Sequence, residues 1–393
     1  ALIPQAMFED LGLKYLGPVD GHSVSAVEEA LARGASLDAP VLVHVITQKG
    51  RGYVPAEEDI ADRFHAVGPI HPETGLPVAP ARFGWTSVFA DEIVRIARER
   101  DDVVGVTAAM MRPVGLGPLH EAFPGRVIDV GIAEQEAAAC AAGMAYEGAH
   151  PVVALYATFL NRAFDQVLMD VALHRAPVTF VLDRAGVTGA DGPSHNGVWD
   201  IAMCQMVPGL RMAAPRDEDT LREELREAVG TDDAPTVVRY RKGQLPAPMP
   251  ALRRSGPVDV LFDEAGASTV LIVATGATVP DALRAARALA ADGVGARVVD
   301  PRWIIPVPGE LAGLAQGADA VVSVEDGGLS GGFGWALRDA LAPTPVVCLG
   351  VPKEFPAHGD RDDMIARFGY DAAGIERAAR VALGRLAPQK AGV

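Results

Sequence analysis

Asp129-Val-Gly-Ile-Ala-Glu-Gln135, an alanine-rich run, Pro151-Val-Val-Ala-Leu-Tyr-Ala-Thr-Phe159, Arg162 and Asp183-Arg-Ala-Gly-Val-Thr-Gly-Ala-Asp-Gly-Pro-Ser-His195 follow one another within 67 residues, from 129 to 195. A carboxylate opens a helix of small residues, an aromatic pair closes a strand, and a charged, glycine-rich loop ends in a histidine. That pattern predicts a cofactor pocket at the C-terminal ends of parallel strands, where open α/β sheets bind ligands.

Around this stretch, strand and helix patterns alternate. Val103–Thr107, Val152–Tyr156, Val178–Asp183 and Thr236–Tyr240 read as strands. Helices are expected after Gly84 (capped by Thr86 or Ser87, with Phe89, Ile93 and Ile96 on one face), from Glu134 to Met144, from Phe159 to His174, and around Leu221, Leu225 and Val229. The alternation implies a doubly wound parallel sheet. A proline-rich linker, Leu245–Pro250, precedes a further α/β segment with strands at Thr269–Ala274, Val298–Asp300 and Ala320–Val324 and a helix at Val279–Ala291. There Asp326-Gly-Gly-Leu-Ser-Gly-Gly-Phe-Gly334 has the wrong spacing for a dinucleotide fingerprint, and a tight turn with close helix packing is the better reading.

The beginning reads differently. Phe8 to His22 looks like the interior of a domain, Val24, Val27 and Leu31 suit one helix face, and Val41–Thr47 has the continuous apolar character of a strand buried on both faces. These elements are too few to close a core, so 1–82 is expected to be the C-terminal remnant of a domain plus a linker (the Pro/Gly-rich Pro69–Phe83). Residues 83–250 and 251–393 form the second and third domains. Gln48-Lys-Gly-Arg-Gly-Tyr53, a basic glycine loop at a strand end, suits a phosphate or an ordinary turn.

Composition narrows the partners. With 393 residues, 49% hydrophobic and 22% charged, the chain is globular and long enough for two or three cores. A formal net charge of −16 argues against nucleic acid or an anionic membrane as partner. No apolar run is long enough to span a bilayer. Cys140, Cys204 and Cys348 lack metal-type spacing and suit buried free thiols in a reducing cytoplasm.

Taken singly, each chemical residue admits a plain structural reading: Glu134 as a helix N-terminal carboxylate, Tyr156 and Phe159 as core, Asp183 and Arg184 as a surface pair, His195 and His65 as surface histidines. Their joint order at strand ends is what points to a site. The words Thr47-Gln-Lys-Gly-Arg-Gly, Phe64-His65-Ala-Val, Gly131-Ile-Ala-Glu-Gln, Tyr156-Ala-Thr-Phe-Leu-Asn-Arg162, Asp183-Arg-Ala-Gly, Gly189-Ala-Asp-Gly-Pro-Ser-His195 and Asp326-Gly-Gly resemble the 1-deoxyxylulose-5-phosphate synthase family of the transketolase superfamily over nearly the whole chain.

The resemblance implies a thiamine-diphosphate-binding, transketolase-like α/β fold with doubly wound parallel sheets and a C-terminal transketolase-type domain. It implies an enzyme that decarboxylates pyruvate and joins the two-carbon unit to glyceraldehyde 3-phosphate, for isoprenoid precursors and for thiamine and pyridoxal. Glu134 matches the carboxylate at the cofactor's pyrimidine, Ile132 the apolar wedge under it, Phe159 the ring stacked on it, and Lys49 a residue near the diphosphate. Tyr156, Arg162, Arg184 and Lys242 match the acceptor and phosphate site; a phosphate dianion needs such donors. His65, Asp191 and His195 match residues that bind substrate and move protons, work suited to groups titrating near neutrality.

Three departures accompany it. The family's Gly-Asp-Gly…Asn motif for Mg2+ and diphosphate does not occur in the chain, so the metal ligands are expected on other sequence and none is assigned here. Glu136 stands where the family usually has His. Arg241-Lys242 replaces a Pro-Arg pair, and Lys binds phosphate less directionally than Arg. The expected partners are pyruvate, an aldehyde phosphate, and a second copy or a diphosphate-binding subunit carrying the missing motif. The alternatives are a split transketolase-like enzyme with another donor or acceptor, and a non-catalytic scaffold subunit.

Overall fold

The computed structural model describes residues 4–59, 62–65, 67–78 and 83–384. Residue 66 of the expected Phe64-His65-Ala-Val motif and residues 79–82 of the expected linker lie outside these, as does the Ala1 start. The chain divides into two compact units, Ala1–Ala81 and Arg82–Val393.

In the first unit, strand β1 (Lys14–Asp20) pairs in parallel with β2 (Val41–Ile46), and helix Val24–Ala35 connects them. Ser23 caps that helix, its hydroxyl accepting from the Ala26 amide. The sequence pattern misplaced its packed face. Ala30 and Gly34 are buried, whereas Val24 and Leu31 stay exposed, because only small residues let the helix lie close to Leu16, Val41 and Val43. β2 is likewise not buried on both faces: with one partner strand, Val45 and Ile46 remain exposed.

The second unit holds two sheets. In chain order its strands are β3 (Val103–Thr107), β4 (Val127–Asp129), β5 (His150–Tyr156), β6 (Thr179–Asp183), β7 (Arg211–Ala213), β8 (Thr236–Arg239), β9 (Arg253–Ser255), β10 (Val258–Glu264), β11 (Thr269–Ala274), β12 (Gly295–Asp300), β13 (Trp303–Ile305), β14 (Ala320–Gly328) and β15 (Val346–Val351). The first sheet runs β13-β7-β8-β6-β5-β3-β4, the second β15-β14-β11-β12-β10-β9. The first is parallel except for β13, which arrives from the C-terminal half and pairs antiparallel with β7. The second is mixed, with β10 antiparallel to both neighbours.

The central positions of the parallel strands are apolar because both faces are covered. Val153, Leu155, Phe180 and Leu182 face the alanines 137, 138, 141 and 142 of helix Glu134–Tyr146. Val152, Ala154 and Val181 face Phe89, Ile93, Leu221 and Leu225 on helices Trp85–Glu99 and Glu218–Val229. The first of these helices starts two to three residues earlier than Thr86 or Ser87 suggests. Gly84 is its N-cap, and Ser87 serves from inside, accepting from the Gly84 amide. The expected helix Phe159–His174 is instead a 3-10 turn (Ala157–Ala163), a short α segment and a π segment (Val167–Ala172). Of the cysteines only Cys204 is buried; Cys140 and Cys348 are half-buried.

The two sheets share one apolar core, from Val106 and Leu182 through Val273 to Phe333. A buried ion cluster also joins them: the Arg216 guanidinium donates to Asp259 at 2.8 Å and to Asp300 at 2.9 Å. At the end of β14, both oxygens of buried Glu325 accept from the Phe333 and Gly334 amides that open helix Phe333–Ala340. A Cβ on Gly332 would lie 2.4 Å from Glu325. The Asp326–Gly334 stretch is thus a tight turn with close helix packing.

Candidate active site

Because β5, β6 and β8 are adjacent and parallel, Tyr156, Asp183 and the residues after Arg239 emerge at one sheet edge. Asp183 is fully buried, not part of a surface pair. Thr86, from the first turn of helix Trp85–Glu99, donates its hydroxyl to Asp183 Oδ2 at 2.5 Å. Burial pushes the Asp183 carboxyl up to about 6, against the pull of Arg184 and the Thr86 hydrogen bond.

The next residue turns the chain. Arg184 has φ +59°, a left-handed conformation that costs an L-residue roughly 1–2 kcal/mol. The Ala185 amide holds the turn by donating to Tyr240 O at 2.9 Å. The turn lays the Arg184 guanidinium over the Tyr156 ring, 3.8 Å from its centroid. Burial pushes the Tyr156 hydroxyl up to about 12. Phe159 stacks on Tyr156, centroids 5.8 Å apart, and meets His195 edge-on at 5.6 Å. The His195 Nδ1 lies 2.9 Å from Ser194 Oγ. Asp191 Oδ1 is 2.5 Å from Lys242 Nζ, and its other oxygen 4.0 Å from Arg184 Nε.

Six of the expected residues, Tyr156, Phe159, Arg184, Asp191, His195 and Lys242, therefore form one connected group. Glu134 lies apart from these contacts, at the first position of a helix that packs against the Ala157–Ala163 turn carrying Phe159. It is buried, and its carboxylate has no hydrogen-bond partner among the described residues. Ile132 is 89% exposed. Arg162 is exposed and makes no contact with the group among the described residues. Lys49 and His65 belong to the first unit. There the backbone amide beside Lys49, that of Gln48, donates to His22 Nε2 at 2.6 Å, and the His65 amide donates to Asp62.

What shapes the loop between Arg184 and His195 escaped the sequence reading. Asn196 is fully buried. Its carbonyl accepts from the Thr188 amide at 2.8 Å, and its amide donates to Gly192 O at 2.9 Å and to Pro356 O at 3.3 Å. Asp326 accepts from the Val187 amide at 3.0 Å and from the Tyr370 hydroxyl at 3.0 Å, and pairs with Arg361. Burial would raise the Asp326 carboxyl, but Arg361 and these donors outweigh it and hold it below its usual value. Gly186 and Gly197 exchange two backbone hydrogen bonds at 2.8 Å, closing the loop's base. The one signal in the chain for this support was the Asp326-Gly-Gly word, whose distance in sequence concealed its contact with Gly186.

Comparisons with known proteins bear on the fold. Residues 81–248 match the pyrimidine-binding domain of transketolase and residues 260–375 the transketolase C-terminal domain. A solved structure described as a split gene transketolase, inactive beta4 tetramer, is 28% identical, with TM-score 0.66 over 76% of this chain and 97% of that one. Transketolase from Campylobacter jejuni, 16% identical, shares the fold with TM-score 0.65 over 95% of this chain and 68% of that one. The matched domains and the fold place the chain in the transketolase superfamily.

Within it, residues 1–47 match the 1-deoxy-D-xylulose-5-phosphate synthase description. Two proteins of Kitasatospora griseola named 1-deoxy-D-xylulose-5-phosphate synthase 1 and 2 are 57% identical over 393 residues and 56% over 385, covering 99% and 96% of this chain. The synthase of Frankia casuarinae is 56% identical over 382 residues, 95% of this chain. Over nearly its whole length the chain is similar to proteins named 1-deoxy-D-xylulose-5-phosphate synthase. It spans 61% of the length of the Kitasatospora relatives and 58% of the Frankia one.

Proposed function

We propose that this chain supplies the pyrimidine-binding and acceptor-binding parts of a thiamine-diphosphate-dependent synthase that decarboxylates pyruvate and condenses the two-carbon unit with glyceraldehyde 3-phosphate. The observation that carries it is the union of Arg184, Lys242, Asp191 and His195 beside the Tyr156–Phe159 stack at one sheet edge.

The pyrimidine end of the cofactor fits the residues present. Glu134 is a buried carboxylate without a partner among the described residues, Phe159 offers a half-buried ring, and Ile132 presents an uncovered apolar side chain. Thiamine diphosphate, when bound, supplies the electron sink that decarboxylation of a 2-oxo acid requires. In this reading Glu134 would hold the pyrimidine end as a hydrogen-bond acceptor, Ile132 would support the cofactor, and Lys49 would serve its diphosphate. Arg184 and Lys242 hold the acceptor phosphate, with Tyr156 fixing the Arg184 plane and Arg162 at the rim. His195 and His65 move protons to and from the substrate oxygens, and Asp191 orients the substrate. Magnesium accompanies the diphosphate, with ligands from the part of the relatives that this chain does not span. Residues 1–82, 83–250 and 251–393 act as three domains in a cytoplasmic homodimer or heteromer; among the described residues no helix is long and apolar enough to cross a membrane.

A second reading, a split transketolase-like enzyme with another donor or acceptor, draws support from Glu136 and from Lys242 in place of Arg. Thiamine-diphosphate titration and pyruvate decarboxylation, with and without the region that the relatives carry in addition, test the proposal. Turnover with pyruvate and glyceraldehyde 3-phosphate supports the first reading. Decarboxylation without this condensation supports the second, and failure to bind the cofactor in the complete protein defeats both.

A further inference from the structure

Asp191 makes an odd neighbour for a phosphate. Its carboxylate already sits between the two cations that the acceptor would use, 2.5 Å from Lys242 Nζ and 4.0 Å from Arg184 Nε. Arg184 does not depend on it for position, since the guanidinium lies on the Tyr156 ring. The loop is anchored on both sides of Asp191. Val187 is bonded to Asp326, Thr188 to Asn196, and Gly192 O to Asn196 Nδ2. Between those anchors Gly189 (φ +76°) and Gly192 (φ +81°) flank only Ala190 and Asp191, and the space beside Gly192 is open. Lys242 is 42% exposed and Asp191 21%, so their pair is of the weak, exchangeable kind.

We propose that Asp191 is a built-in counter-ion that occupies the anion site of the free chain and sets its selectivity for phosphate dianions over carboxylates. This rests on the reading of Arg184 and Lys242 as the acceptor-phosphate site. An incoming carboxylate merely replaces one carboxylate with another while losing its own translational freedom, so it gains nothing. A phosphate dianion brings a second charge and a third oxygen, which the two cations reward and Asp191 cannot match. The device keeps a 2-oxo acid donor out of the acceptor subsite. Displaced from Lys242, the Asp191 carboxylate stays on its anchored loop, free to accept a hydrogen bond from the substrate.

The test is calorimetric binding of inorganic phosphate, and separately of acetate, to the full chain and to Asp191→Asn, at a pH where phosphate is mostly dianionic. Removing the counter-ion is expected to tighten phosphate about two- to fivefold, the scale on which a partly exposed pair competes. Acetate, expected to show no affinity for the parent chain, should then compete with phosphate. Lys242→Met locates the site by abolishing the phosphate signal, and Asp191→Ser, with unchanged melting, excludes a folding effect. Weaker or unchanged phosphate binding in Asp191→Asn overturns the inference while leaving the acceptor-site reading intact. If phosphate binds the parent chain but Lys242→Met and Arg184→Met leave it unchanged, the acceptor-site reading falls and the inference with it.

Discussion

Gly186→Ala is expected to damage the chain far more than its size suggests. Gly186 has φ +77°, and a Cβ there would lie 2.2 Å from the Asp326 carboxyl carbon. Two costs combine. The left-handed backbone penalises an L-residue by roughly 1–2 kcal/mol. The clash must also push Asp326, buried and bonded to Val187, Tyr370 and Arg361, away from its partners, and disrupting a buried pair typically costs about 3–5 kcal/mol. The total is at least about 4 kcal/mol, a large part of the 5–15 kcal/mol by which domains are stable. At about 2–4 °C per kcal/mol for larger domains, the melting midpoint should fall by about 8 °C or more. Gly192→Ala is the internal control. Its φ is +81°, but no atom lies within 4 Å of the added Cβ, so only the backbone term of about 1–2 kcal/mol applies. Calorimetric melts of the two variants against the parent decide the matter. If both melt alike, or if Gly186→Ala melts with the parent, the Asp326 contact does not support the loop.

Four other outcomes are expected. Glu134→Gln should lower turnover of the complete enzyme at least about a hundredfold at saturating cofactor, the lower range for a lost acid–base role, and near-normal turnover would contradict its assignment. Arg184→Met should weaken a phosphorylated acceptor by roughly 1.5–3 kcal/mol and leave pyruvate decarboxylation far less affected; equal losses in both steps would make Arg184 structural. Asp183, raised in the fold to about 6, contributes stability that is present below its ordinary value of 3.8 and lost as the pH rises through about 6. Asp183→Asn should therefore gain on the parent in melts between pH 4 and 7, and parallel curves would refute the burial argument. Calorimetry of the present chain alone should find weak thiamine-diphosphate binding with little magnesium dependence; tight, magnesium-dependent binding would place metal ligands within it.

Much of this molecule can be read without coordinates. Runs such as Val152–Leu155 and Phe180–Leu182 are apolar at every position, as a parallel strand covered on both faces requires, and the alternation with helices follows. The chemical words at the strand ends were legible too, because a parallel sheet delivers every C-terminal end to one edge. The packing of Val24 and Leu31 was not legible, since periodicity marks apolar residues and not which of them finds a partner; there Ala30 and Gly34 approach the strands instead. Nor did local pattern reveal that β13 crosses to pair with β7, or that Asp183 is buried under Thr86. The support of the loop between Arg184 and His195 was equally hidden. Asp326 lies 139 residues from Val187, to whose amide it is bonded, and Asn196 lies 160 from Pro356. Contacts at such separation leave no period in the chain; they arise only when two sheets, each dictated locally, close on one core.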